Sequence, residues 1–377
     1  MRPHSRQQPL ERKQTLQNRQ RGAQAGQTEH RTQGEFKLKI KYFCRAVITI
    51  KILLCFFIKL FLDKELFICY YINRMYILFV SDFMYIKTKP FVKWAGGKSQ
   101  IISEIREKYP SDIKSYCEPF VGGGAVLFDV LANYMPEKVL INDINKELII
   151  TYNQIKSNID SLICKLSELH NEYNNSDLEQ RKIIFSKNRD SYNLLKNETD
   201  KNNELEIAVL FIFLNKTCFN GLYRVNKHGD FNVPIGSYKN PLICDEDNLR
   251  KTSLMLQNVN IICGDYSKCE NFINKETFVY IDPPYRPLNK TSSFTSYSSK
   301  DFDDNEQIRL SRFIDSISKK GAVVVASNSD PHNFNKDDMF FDNLYKGYSI
   351  KRISAKRMIN SKGKSRGNIN ELLISNF

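Results

Sequence analysis

The tetrapeptide Asp282-Pro283-Pro284-Tyr285 puts an acid, a conformationally locked backbone carbonyl and an aromatic ring directly after the apolar run Phe278-Val279-Tyr280-Ile281. The β-branched and aromatic residues of that run predict a buried strand, which the two prolines end abruptly. Asp282 is therefore expected at the carboxyl end of a sheet, where open α/β folds bind ligands. This trio suits group transfer to the exocyclic amine of a flat base. Such a nitrogen is a poor nucleophile because its lone pair is conjugated into the ring, and two acceptors aimed at its N–H groups would draw it toward tetrahedral geometry. The Asp282 carboxylate is one candidate acceptor, and the Pro283 carbonyl, oriented in advance by the Pro-Pro geometry, is the other. Tyr285 would then stack on the ring, as aromatic side chains hold a base taken out of a duplex. Taken alone, the tetrapeptide also reads as a strand-ending turn with a core tyrosine.

A second constellation shifts that balance. Ser115 to Phe120 leads into Val121-Gly122-Gly123-Gly124, and Ala125 to Leu131 follows with helical periodicity. A strand, a glycine loop and a helix start let a ligand approach bare backbone at a helix N-terminus. Roughly twenty residues on, Val139-Leu140-Ile141-Asn142-Asp143 is a short strand ending in an acid, the position that bonds a ribose hydroxyl in nucleotide-binding βαβ units. Together these indicate a ribose-bearing cofactor, and NAD and S-adenosylmethionine fit the residues equally. Upstream, Pro90 to Ser99 carries the only tryptophan, Trp94. Gly97-Lys98-Ser99 imitates the end of a phosphate loop, but the first glycine of such a loop would fall at position 92, a valine, so an NTPase is excluded. Trp94 and Lys98 remain as an aromatic wall and a cation for a zwitterionic, adenosine-containing ligand; standing alone they would read as a packed ring and a solvated lysine.

The segment Phe91 to Lys98, the loop Glu118 to Gly124, Asn142-Asp143, Phe219-Asn220-Gly221-Leu222-Tyr223-Arg224 with Phe231-Asn232-Val233-Pro234, and Asp282 to Tyr285 occur in this order. In that order the chain resembles the Dam-like, D12-class DNA adenine-N6 methyltransferases, nearest to the GATC-specific restriction-modification methylases of the DpnII and MboI type. The resemblance runs from Tyr85 to Phe377. It implies methyl transfer from S-adenosyl-L-methionine to N6 of a flipped adenine, without a covalent intermediate, with Asp282, Pro283, Pro284 and Tyr285 as the catalytic set. It further implies cofactor contacts at Trp94, Lys98, Glu118, Phe120, Gly122, Gly124, Asp143, Asp265, Tyr266 and Asp282, with Asp265 reading the cofactor's adenine. In the same way Lys93 corresponds to a contact to the first guanine and Arg224 to a contact to the last base pair. Leu222 and Pro234 match contacts to a thymine methyl, and Phe219 and Asn220 belong to the same recognition segment. These base contacts agree with general readout chemistry, in which Arg or Lys serves guanine and apolar groups serve the thymine methyl. The implied partner is double-stranded DNA, with single-stranded DNA left open. A restriction endonuclease acting on the same site without a stable complex is a further candidate partner.

The formal charge of +14 invites an argument for nucleic acid that the distribution does not carry. Residues 1–90 hold 17 Lys and Arg against 6 Asp and Glu, which leaves 39 against 36 for the rest. DNA binding must therefore rest on local clusters such as Lys351 to Arg366 and on Arg224 and Lys227, and a charge run is more often a solvated face. Met1 to Gly34, rich in Gln and Arg, is expected to be disordered. Lys41 to Val80 is apolar but interrupted by Lys51, Lys59, Asp63, Lys64, Glu65 and Arg74, so it offers neither a clean membrane span nor a signal peptide. Since the recognised segments begin close to Met84, the native start is expected at Met84 or Met75, with residues 1–84 a leader. Nine cysteines show no C-x-x-C spacing and the five histidines are scattered, so no metal site is expected. The chain reads as cytoplasmic with reduced thiols. Cys117, beside the glycine loop, could suggest a nucleophile, but direct attack by an amine needs none, and a packed thiol is the better reading.

Strand-like runs near Cys117, Leu140, Ile262, Val279, Val324 and Leu373 alternate with helical segments. They predict an α/β fold with a mostly parallel, doubly wound Rossmann-like sheet. Catalytic segments 85–154 and 251–377 would flank an inserted, mainly helical target-recognition module over 155–250. That module would hold charged amphipathic helices such as Leu205 to Asn215 and a β-hairpin turning at His228-Gly229-Asp230. Asn289 to Asp304 would be a mobile loop closing over the base. A methyltransferase acting on another short sequence is the near alternative. A nicotinamide oxidoreductase would leave Asp282 to Tyr285 and Phe219 to Arg224 without roles, and a noncatalytic DNA-binding protein would leave the donor site unexplained.

Overall fold

Seven strands form one sheet in a computed structural model that describes residues 87–198, 201–286, 302–356 and 368–377, all within one compact unit, Tyr85–Phe377. In chain order the elements are α1 (Ile102–Arg106), β1 (Ser115–Glu118), α2 (Ala125–Tyr134), β2 (Lys138–Asp143), α3 (Lys146–Ser157), α4 (Ile159–Asn175), α5 (Leu178–Leu195), α6 (Glu204–Thr217) and α7 (Glu246–Leu256). They continue with β3 (Val259–Cys263), β4 (Thr277–Ile281), α8 (Asp304–Lys319), β5 (Val323–Ser329), α9 (Phe340–Leu344), β6 (Ser349–Lys356) and β7 (Asn368–Ser375). The sheet order is β3-β2-β1-β4-β5-β7-β6, parallel from β3 to β5, with β7 antiparallel to both of its neighbours.

Apolar residues alternate between two cores along the central strands. Tyr116, Ile141, Phe278, Tyr280 and Val325 face one layer, which holds α2 and α3. Cys117, Leu140, Val279, Val324 and Ala326 face the other, packed against Leu310, Ile314 and Ile317 of α8 and Phe341 of α9. Helices on both faces explain why β1 and β4 are buried throughout. The chain winds outward in both directions from the β1/β4 pair, so the strand ends Glu118 and Asp282 meet at the topological switch point.

The six expected strands are present and β6 is an addition. Its sequence, Ser349 to Lys356, shows no regular apolar alternation and carries Lys351 and Arg352, charge of the kind edge strands commonly bear. Leu205 to Asn215 departs from the amphipathic expectation. These residues form most of α6, where Ile207 to Leu214 are all buried, because α6 packs among α3, α4 and α5. The hairpin is reduced to isolated antiparallel bridges, Val225 with Phe231 and Cys218 with Ile235, around a turn from Asn226 to Gly229, with Gly229 at a φ of +85°. Asn226 Oδ1 closes that turn by accepting the His228 and Asp230 amides at 2.9 Å each. The expectations for residues 1–84, for most of the Asn289 to Asp304 loop and for the tail from Arg357 to Arg366 lie outside the described residues. No helix among the described residues is long and apolar enough to cross a membrane.

Candidate active site

Asp282 leaves β4 at the switch point with both carboxylate oxygens engaged. Lys98 Nζ pairs with Oδ2 at 2.6 Å, and the Ser327 hydroxyl, on the neighbouring β5, donates to Oδ1 at 2.9 Å. Ser327 is held in turn by the Tyr280 hydroxyl, 3.1 Å away. Lys98 is only 3% exposed, so this ion pair stands in a poorly solvated place. Its ammonium also lies 4.8 Å from the centre of the Tyr285 ring. The proline loop is fixed from α8: the fully buried Gln307 donates to the Pro284 carbonyl at 3.1 Å and accepts from Asn328 Nδ2 at 3.1 Å. Arg286 anchors the next position through Asp304 and Asp338, at 2.7 Å each.

Glu118, at the end of β1, is buried and accepts from the Tyr116 hydroxyl at 2.7 Å. Burial, with the Asp282 charge added, pushes its carboxyl well above the usual range. At the end of β2, Asp143 accepts the Gly122 amide at 3.0 Å and the Asn145 amide at 2.9 Å. Burial raises its pKa and those two bonds oppose the rise. Asn142 beside it ties the strand ends together, donating to the Pro119 and Gly264 carbonyls at 2.9 Å each, while its own buried Oδ1 has no protein partner.

The glycine loop is shaped by the chain's own side chains. A Cβ on Gly122 would fall 2.7 Å from Trp94 Cδ1, and one on Gly124 would fall 2.6 Å from the Tyr152 hydroxyl. Trp94 thus roofs the loop, and its ring also meets Tyr223, stacked at 5.8 Å between ring centres, and Phe211. Asp265 caps the turn that starts at Tyr266 and receives Arg309 on both oxygens, at 2.6 and 3.2 Å. Arg309 holds this carboxyl well below the usual range and lies 4.4 Å from the centre of the Tyr266 ring, which packs on Phe120.

The base-recognition candidates converge at a second place. Buried Asn215 of α6 accepts the Lys93 amide and donates to the Lys93 carbonyl, both at 2.8 Å, and donates to the Gly221 carbonyl at 2.9 Å. The Phe219 amide donates to the Pro234 carbonyl at 2.8 Å, so the two halves of the segment stand side by side. Phe219 is 51% exposed, and Asn220 beside it takes a left-handed φ of 56°. Arg224 is braced by Asn232, with Nε 2.8 Å from Oδ1, and Leu222 is half-buried. Two members of the expected basic cluster are otherwise occupied, Lys351 with Glu107 and Arg352 with Asp330 and Asp342. No group of metal ligands occurs among the described residues.

Sequence reading missed Ser327, Gln307, Asn328, Asn215 and Glu371. Ser327-Asn328 carried a signal, two polar residues closing the apolar run Val323 to Ala326, whereas Asn215 closes a helical run just before Lys216 and Glu371 follows the polar Asn370, places where a polar side chain draws no notice.

Residues 94–359 match the family described as D12 class N6 adenine-specific DNA methyltransferase. The chain is 52% identical over 298 residues to the Type II methyltransferase M.MjaIII of Methanocaldococcus jannaschii, covering 78% of this chain and 100% of the relative. It is 37% identical over 294 residues to the Type II methyltransferase M1.LlaDCHI of Lactococcus lactis subsp. cremoris, with 78% and 96% covered. With the DNA adenine methylase of Escherichia coli (strain K12) the identity is 32% over 291 residues, with 76% and 95% covered.

Proposed function

Because the chain belongs to the D12 class of N6 adenine-specific DNA methyltransferases, we propose that it methylates adenine in GATC, with S-adenosylmethionine as donor and the target base flipped out of the duplex. The observation that carries this reading is the meeting of Asp282, Lys98 and Tyr285 at the β1/β4 switch point.

The residues present fit the donor. Acceptors crowd the strand ends at Glu118, Asp143 and Asp282, the buried cation Lys98 pairs with the last of them, and Asn142 keeps an unpaired buried acceptor there. This set suits a ligand that carries positive charge and hydroxyl donors. Asp143 would take the ribose, Asp265 and Tyr266 the adenine, and Lys98 with Trp94 the amino-acid end. When bound, the donor supplies an electrophilic methyl group.

The chain's own residues prepare the amine. Asp282 accepts from one N–H of the target and the Pro283 carbonyl from the other, which frees the nitrogen lone pair from the ring. Lys98 and Ser327 hold the carboxylate in place before the base arrives, so little reorganisation is left to the reaction itself. Tyr285 stacks on the base, and exposed Phe219 is shaped to wedge into the step that the base vacates. Arg224 reads the guanine opposite the final cytosine through O6 and N7, Lys93 reads the first guanine, and Leu222 with Pro234 contacts the thymine methyl.

Mapping N6-methyladenine across a plasmid by sequencing tests target choice. We expect modification at GATC for the wild type and, for Arg224→Ala, relaxed selectivity at the last position only, by the roughly 1–3 kcal/mol of one bidentate contact. Modification confined to another motif would remove GATC and leave the reaction standing.

A further inference from the structure

Glu371 is a carboxylate at this site without a role in the scheme above. It lies on β7, which runs antiparallel to β5 and therefore enters the sheet at the edge where Asp282 leaves it. Ladder pairing sets it opposite Ser329 at the end of β5. The Tyr285 hydroxyl donates to Glu371 Oε2 at 2.7 Å, while Lys98, paired with Asp282, lies against the same ring. We propose that Glu371 is a positioning residue for methyl transfer: by holding the Tyr285 hydroxyl it fixes the plane on which the target base stacks and keeps Lys98 and Asp282 aligned with it.

Stacking alone asks only for a ring, so the hydroxyl matters only if something holds it. A carboxylate is the stronger acceptor for that purpose, since charge-assisted hydrogen bonds are shorter and stiffer. Its placement is also costly: burial and the nearby Asp282 charge raise the pKa of Glu371, opposed by Lys98 and the Tyr285 bond. The strand that inserts between β5 and β6 thus also delivers the restraint.

The inference rests on Tyr285 being the stacking ring. It is tested by steady-state methylation with Glu371→Leu, Glu371→Gln, Tyr285→Phe and the Glu371→Leu/Tyr285→Phe double variant. Binding of DNA carrying 2-aminopurine at the target adenine adds a spectroscopic readout. Glu371→Leu and Tyr285→Phe should each lower kcat by about tenfold or more with KM for DNA nearly unchanged, the scale expected for slight misplacement of a reacting group. The double variant should be no worse than the poorer single. Glu371→Gln, still an acceptor, should keep most of kcat, and 2-aminopurine emission should rise in Glu371→Leu as stacking loosens. Tyr285→Phe removes one atom and keeps the test valid should Glu371→Leu fail to fold. Unchanged kcat in Glu371→Leu and Tyr285→Phe, or effects that multiply in the double variant, would overturn the role of Glu371. A fully active Tyr285→Ala would instead overturn the stacking reading itself.

Discussion

The carboxylates at and just past the ends of the parallel strands are tuned apart by their neighbours. Glu118 is pushed up by burial, whereas Asp265 is pulled down by a bidentate arginine on an open surface. The second shift has a definite sign in stability. Since its pKa is lower in the native chain than the usual value near 4, the Arg309 pair stabilises the fold above about pH 4, and that contribution fades as the pH falls toward the native value. Thermal melts of the wild type and Asp265→Asn should therefore differ modestly at pH 7, by under about 1 kcal/mol for a pair this exposed. The gap should close progressively in acid, and one that stayed constant from pH 7 to pH 2 would contradict the pairing. The acids and the tyrosine at the strand ends were legible because strand-then-acid patterns survive in the chain order. Ser327, Gln307 and Glu371 were not, because each acts through a partner that only the folded sheet brings near.

Among the elements, α6 carries the largest consequence outside the sheet. It is apolar on all sides, and its one buried amide, Asn215, ties Lys93 to Gly221 in the segment proposed for recognition. Asn215→Ala would leave those backbone groups without their partner, costing about 1–3 kcal/mol in chemical denaturation. It should also loosen selection of the first guanine while sparing Arg224, whose brace is Asn232. Comparing methylation at GATC with sites altered at the first position checks this, and unaltered selectivity in a destabilised variant would show that Asn215 only supports the fold. Helix periodicity placed α6 but misjudged its faces, because the charges at its N-terminus, Glu204 and Glu206, coloured a segment that is otherwise core. Strand β6 escaped for the related reason that its edge position tolerates Lys351 and Arg352.

Over the whole molecule, a near-neutral body carries a DNA-modifying site, so net charge was a poor guide and motif order a good one. The doubly wound topology explains the placement. It brings Asp282, Glu118 and Asp143 to one edge of the sheet, and the antiparallel β7 returns Glu371 to that same edge. What the chain order could not convey was how Ser327, Gln307 and Glu371 hold Asp282, Pro284 and Tyr285, since those partners are separated by tens of residues. The most direct test of the account is transfer of a labelled methyl group from S-adenosylmethionine to DNA, followed by nucleoside analysis, for the wild type and for a folded Asp282→Asn. N6-methyladenine is the expected product, with a loss of several hundredfold in the variant, the scale of removing one preorganised electrostatic group. Label on cytosine, or near-wild-type turnover by Asp282→Asn, would contradict it.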